Sequence, residues 1–313
     1  MPELPELEVL KETLEPRIRG KKIKVLQILK PYILKNYFTP LEKHRQPMRR
    51  GKKKSALVKP AGRILSNAHS DFLTGYTYDL SGEKIENINR RGKYLLIELD
   101  KHKIIVHLML RGTIKFVLPG TKLKKSSAAL MNFEDGTVLE MSERGHKKRM
   151  SIFILPKNKT LEKFDMLGIE PLQHDFTVEK LKTLLQSENR QVKSFLCNQK
   201  KIVGIGNAYA DEVLWNARLS PFKMSKQLNA QEVKELHTSI IHVLKRAIKH
   251  VREKGIQEKR GFLQVHGKKG KPCPRCGELI QFVSFAQSET SYCPICQTGG
   301  RKLKDRRMSK FYR

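Results

Sequence analysis

Two Cys-x-x-Cys pairs near the C-terminus, Cys273-Pro-Arg-Cys276 and Cys293-Pro-Ile-Cys296, constrain this chain more than any other feature. Residues 277–292 separate them, and two such knuckles at that spacing supply four thiolates for one tetrahedral zinc. The stretch between them, Glu278 to Tyr292, has the length of a two-stranded hairpin, so a small finger closed around the metal is expected. A thioredoxin-like redox centre would need one such motif, not two. With sulfur in all four positions the zinc has no open site, which makes it structural and places the chemistry elsewhere. The remaining cysteine, Cys197, lies in an apolar helical stretch and reads as a core residue.

Charge narrows the class of partner. The 313 residues hold 63 Lys and Arg against 31 Asp and Glu, a formal charge of +32. Such an excess calls for a polyanion, nucleic acid first. Residues 267–313 carry eleven basic and three acidic residues, so the finger reads as a DNA-facing element. Residues 41–60 carry eight basic residues and one acid. They fall in a segment, about 39–80, without helical or strand periodicity, read as a mobile basic insertion that adds sequence-independent phosphate affinity. A nuclear-localisation signal is the less favoured reading of the same charge run. No run of 18 apolar residues is present and the N-terminus lacks a signal-peptide pattern, so no membrane contact is expected. A reducing compartment follows: the cytoplasm, at the nucleoid, in a bacterium, or the nucleus in a eukaryote.

Hydrophobic periodicity organises the rest. Glu6 to Ile18 reads as a helix, with Leu7, Leu10, Leu14 and Ile18 on one face. Strands are expected at 22–29, 94–99, 104–110, 113–118 and 151–155, with a hairpin over 130–141 turning at Asp135-Gly136. Together these make a helix followed by a β-sandwich. His107, within an apolar strand, reads as a packed or hydrogen-bonded histidine, and Trp215 and Phe222 read as core. After Glu170-Pro171 the pattern turns helical, over 178–185, 191–197, 208–216 and 230–251. Val233, Leu236, Ile240, Val243, Leu244 and Ile248 line one face of the last helix. The glycines of Val203-Gly-Ile-Gly-Asn207 allow close backbone approach before a helix whose first amides suit a phosphate, although in isolation a plain tight turn is the commoner reading. Asn207 fits the N-cap of that helix. The expected α+β organisation is a sandwich domain at 1–156, a helical domain at 157–262 and a finger with basic tail at 263–313.

The first residues, MPELPELE, offer two readings. Pro followed by acids is good helix-start chemistry. Removal of Met1 would also leave Pro2 as a secondary amine with a reference pKa of about 7.7–8.0, a nucleophile able to form a Schiff base. Glu3 and Glu6 beside it would be the acid–base groups.

Four separated blocks settle the choice: MPELPELE, Arg91-Gly-Lys-Tyr-Leu-Leu96, IVGIGNAYADE at 202–212, and the four-cysteine finger preceded by Val265-His-Gly-Lys-Lys-Gly-Lys-Pro272. In these blocks, and in their order over nearly the whole chain, the sequence resembles the formamidopyrimidine-DNA glycosylase/endonuclease VIII family. The resemblance implies a helix–two-turn–helix domain, one structural zinc at Cys273, Cys276, Cys293 and Cys296, and action as a monomer on damaged double-stranded DNA. It implies a bifunctional glycosylase and abasic-site lyase for oxidised or ring-opened bases. Pro2 would be the nucleophile, Glu3 the acid acting on the deoxyribose, Glu6 a supporting carboxylate, and Lys93 a phosphate-contacting catalytic lysine. Asn207 would grip phosphate, with Tyr209 and Arg111 among the DNA contacts. Leu110 stands where the family commonly has a Met wedge. The accompanying Arg and Phe loop is not recognisable in residues 142–149, where Arg144, His146 and Lys147 are candidate substitutes. Ser288 stands where the family has a finger arginine, leaving Arg301 or Arg306 of the tail to compensate. The 252–262 loop, which covers the everted base in oxidised-purine enzymes, is short. Two rivals remain from the residues alone. A non-catalytic DNA-binding protein with this fold would not need Pro2, Glu3 and Lys93. A zinc-ribbon RNA-binding protein leaves the N-terminus unexplained.

Overall fold

The computed structural model describes residues 1–35, 76–256, 260–285 and 288–303. The basic run at 41–60 and Arg306 lie outside the described residues. The chain divides into two compact units. One comprises Met1–Pro2, Lys11–Asn89 and Tyr94–Thr160, the other Glu3–Leu10, Arg90–Lys93 and Leu161–Arg313.

In the first unit, β1 (Ile23–Ile28), β2 (Tyr76–Tyr78), β6 (Gly112–Val117), β7 (Ser127–Phe133) and β8 (Val138–Glu143) form one antiparallel sheet in the order β2-β1-β7-β8-β6. The second sheet has the order β3-β4-β5-β9, from β3 (Ile85–Arg91), β4 (Tyr94–Leu99), β5 (His102–His107) and β9 (Ser151–Pro156). In β4, Leu95, Ile97 and Leu99 are fully buried and alternate with half-buried neighbours, the period-two signature of a sheet with one face in the core. The β7–β8 hairpin turns at Asp135-Gly136 as expected. Gly136 has φ +80°, and the Asp135 carboxylate accepts from the backbone N–H and hydroxyl of Thr137.

Three expectations need correction here. Tyr76–Tyr78, assigned to the insertion, is a strand paired with β1, and Leu80 is buried. Strand β3 was not anticipated, because only Ile85 and Ile88 in a polar run carry its buried side. Strand β5 stops at His107 instead of 110. Met109 has φ +51° and Gly112 N–H donates to the Leu108 carbonyl at 2.9 Å, which turns the chain. His107 is held as predicted, accepting from Met109 N–H at 3.1 Å and lying edge-on to Tyr94.

In the second unit, the helix α1 (Leu4–Ile18) contributes its first turns. After it come α2 (Glu162–Asp165), α3 (Val178–Gln186), α4 (Val192–Leu196), α5 (Asn207–Asn216) and α6 (Ala230–Lys254). Helix α6 begins with a reciprocal cap between Asn229 and Glu232, and its predicted apolar face is buried throughout. The finger follows as β10 (Gln281–Phe285), β11 (Ser288–Tyr292) and α7 (Pro294–Thr298).

The finger falls in the same compact unit as the helices. Two buried acids of α5 bind it to the helices. The Asp211 carboxylate forms an ion pair with Lys193 Nζ at 2.8 Å and accepts from Ser291 N–H at 3.1 Å and His266 Nδ1 at 2.7 Å. Glu212 accepts the backbone N–H groups of Gln264, Val265 and His266. Trp215, expected in the general core, packs instead with Val265, Ile280 and the zinc knuckles, and its Nε1–H points to Cys273 Sγ at 3.4 Å.

Candidate active site

The acidic N-terminus and the glycine turn meet inside the second unit. Gly206 is the N-cap of α5, so its N–H and that of Ala208 have no partner within the helix. Both donate to the Glu3 carboxylate, at 2.5 and 3.2 Å. The helix-start amides that the sequence offers to an anion are taken here by the chain's own Glu3. A Cβ on Gly206 would lie 2.6 Å from the Glu3 carboxyl carbon, which explains the glycine by close approach. Gly204, at φ +84°, accepts from Leu4 N–H at 3.0 Å and brings the turn against the start of α1.

Glu6 stands one helical turn from Glu3 and accepts that residue's N–H at 2.8 Å. Its other oxygen accepts the Tyr209 hydroxyl at 2.6 Å. Tyr209 is 0% exposed, so it cannot contact DNA directly as the sequence suggested; it supports the carboxylate. Arg260 completes the group. Its guanidinium lies 2.8 Å from Glu6 and 3.4 Å from Glu3, 5.0 Å from the Tyr209 ring centre. Burial pushes the Glu6 pKa up, and Arg260 is the strongest opposing influence. The phenol of Tyr209 is likewise pushed well up, first by burial and then by the Glu6 charge.

Lys93 is 8% exposed. Burial lowers its pKa, and Glu3 is the first of the groups that oppose the drop. The preceding turn is pinned by Glu170, which accepts Gly92 N–H at 2.7 Å and pairs with Arg90 at 2.9 Å. Arg90 also reaches Glu8 at 2.6 Å, and Arg91 donates to the Gly168 carbonyl at 2.8 Å. These two arginines thus fix the lysine's backbone. Cys197 is half-buried at the end of α4, and its thiol lies 3.7 Å from Asn207 Oδ1. Burial pushes that thiol up to about 12, so it stays protonated and donates. Asn207 is the first residue of the helix, not its cap.

Leu110 and Arg111 belong to the first unit, in the turn between β5 and β6, where Leu110 is 42% exposed. Pro2 is half-buried and bonded to Glu3. Arg301 is exposed just beyond α7. The four finger sulfurs lie within 4.8 Å of one another. Three pairs measure 3.4, 3.5 and 3.9 Å, close to the ~3.8 Å edge of a tetrahedron with Zn–S bonds of about 2.3 Å. The donor set fits one structural zinc.

Sequence reasoning missed Arg260 entirely. The available signal was electrostatic: two acids that the fold buries side by side require a cation. The arrangement offers a fixed carboxylate beside Pro2, a second carboxylate behind it, and a buried amine able to bind an anion.

Three family descriptions match the chain. The formamidopyrimidine-DNA glycosylase N-terminal domain covers residues 56–145, its H2TH domain covers 167–259, and the zinc finger found in FPG and IleRS covers 270–299. The chain is 31% identical over 312 residues to the formamidopyrimidine-DNA glycosylase of Protochlamydia amoebophila and 30% identical over 307 residues to that of Lactobacillus helveticus. In each case the match covers 95% of this chain and 99% of the relative. Among solved structures, the Lactococcus lactis formamidopyrimidine-DNA glycosylase bound non-covalently to DNA with an abasic site superposes with a TM-score of 0.74 at 30% identity, covering 95% of this chain and 99% of that one. A variant of the same enzyme with Fapy-dG DNA gives 0.75 at 30% identity, covering 95% and 100%.

Proposed function

Because this chain belongs to the formamidopyrimidine-DNA glycosylase family, we propose that the cluster of Glu3, Glu6 and Lys93 serves base excision coupled to strand nicking. The chain is a DNA glycosylase of base-excision repair acting on damaged double-stranded DNA, with one structural zinc in its finger. Among the described residues no helix is long and apolar enough to cross a membrane. In a bacterial cell we place the protein at the nucleoid.

One observation carries the chemistry: the carboxylate following Pro2 is locked by two helix-start amides. After removal of Met1, Pro2 nitrogen attacks C1′ of the damaged nucleotide and the base leaves with the glycosidic electron pair. Glu3 takes a proton from the Pro2 ammonium and delivers one to O4′ as the ring opens and the nitrogen lone pair forms the iminium. The iminium acidifies C2′, and loss of that proton expels the 3′ phosphate. Lys93 binds phosphate, Asn207 holds a second phosphate, and Leu110, exposed on its turn with Arg111 beside it, fills the space of the everted base.

The product tests the assignment. With Ser288 in place of the finger arginine, β-elimination is expected to dominate and δ-elimination to be slow, assisted by Arg301 or Arg306. A duplex carrying one ring-opened guanine should yield mainly a 3′ unsaturated aldehyde. A dominant 3′ phosphate that survives both Arg301→Ala and Arg306→Ala would place the second elimination elsewhere.

A further inference from the structure

We propose that Arg260 is a positioning residue for base excision: its guanidinium bridges Glu3 and Glu6 and sets a permanent positive charge against Glu6, so that Glu3 is held in place for proton transfer. The inference rests on the roles given above to Pro2 and Glu3.

Hydrogen-bond polarity is the first argument. Glu3 is met by Gly206 N–H, Ala208 N–H and Arg260. Glu6 is met by Glu3 N–H, the Tyr209 hydroxyl and Arg260. The backbone N–H groups and the guanidinium can only donate, and the Tyr209 hydroxyl is the single group among them that could also accept, so the surroundings of both carboxyls call chiefly for acceptors.

The charge balance is the second. Among the described residues, the titratable groups facing the pair are Lys93 from the 91–94 turn, Tyr209 from α5, Cys197 from the end of α4, and Arg260 itself. Tyr209 and Cys197 stay neutral, as their raised pKa values require. Lys93 is buried and its hold on a proton is weakened. Arg260 is thus the one permanent cation among these groups to set against two buried acids. Without it, the rise that burial imposes on Glu6 would lose its strongest opposing influence.

Geometry divides the work between the two acids. Arg260 sits closer to Glu6, at 2.8 Å, than to Glu3, at 3.4 Å, and Glu3 has two amides of its own. Arg260 therefore acts first on Glu6, and Glu6 in turn anchors the Glu3 backbone. The guanidinium lies over the Tyr209 ring, which fixes its plane as an ammonium could not be fixed.

The test is the pH profile of single-turnover excision from a ring-opened-guanine duplex, for the full-length wild type, Arg260→Gln and Arg260→Lys. Nicking of a preformed abasic duplex is followed alongside. Loss of the cation raises the carboxylate pKa, so the acidic limb of excision in Arg260→Gln should move up by about 1 pH unit or more. Arg260→Lys should recover a substantial part of that displacement. A rate lowered equally at every pH with the acidic limb unmoved, or a lysine variant displaced as far as the glutamine one, would show that Arg260 only holds the fold. A wild-type protein that excises nothing at any pH would overturn both this inference and the proposed function, whereas the variant results bear on Arg260 alone.

Discussion

Glu3→Gln is expected to lower base excision by about 10²- to 10⁴-fold, the range of a lost general acid–base group. Nicking of a preformed abasic duplex should fall far less. Ring opening during excision needs a proton at O4′, whereas the lyase reaction can start from a sugar that is already open. The substitution also disturbs the ground state. Glu3 accepts from Gly206 and Ala208 N–H and from Arg260. A carboxamide keeps one oxygen for these donors and turns an NH2 toward the rest. Rates for a lesion duplex and an abasic duplex under single-turnover conditions separate the two effects. Equal losses in both assays would assign Glu3 to folding or DNA binding instead of proton transfer.

Gly206→Ala should cost about 10²-fold in excision although residue 206 touches no substrate in this account. The new Cβ would lie 2.6 Å from the Glu3 carboxyl carbon, too close for any atom pair, and the obstacle is a carboxylate fixed on three sides. Glu3 must shift, and a displacement of about 1 Å at a reacting group has a penalty of this order. The backbone itself tolerates alanine, since Gly206 has φ −130°, so the variant should fold. Zinc content and circular dichroism check that it does. Wild-type excision by a folded Gly206→Ala protein would mean that Glu3 has no required position.

How far the sequence reaches depends on the kind of signal. The zinc finger was fully legible, because four thiolates at fixed spacing admit few arrangements, and helix α6 was legible because its apolar face repeats over 25 residues. Strand β3 was not, since its polar residues outnumber its two buried isoleucines. The union of finger and helices rests on Asp211 and Glu212, which look like ordinary surface acids until their partners at 264–266 and 291 are placed. Glu3 and Glu6 could be singled out beside Pro2. What held them could not, because Arg260 and Tyr209 lie more than 200 residues away in the chain. For the same reason Tyr209 looked like a DNA contact, although its place two residues into α5 carries its side chain into the core.

Borohydride trapping on an abasic-site duplex tests the central claim most directly. If Pro2 is the nucleophile, borohydride reduces the iminium and leaves a covalent protein–DNA adduct. The adduct should be diminished in Pro2→Gly and abolished by an N-terminal tag that blocks the amine. An undiminished adduct with the tag in place would move the nucleophile to a lysine, Lys93 first. No adduct from the untagged wild type would leave a DNA-binding protein with this fold and without the chemistry.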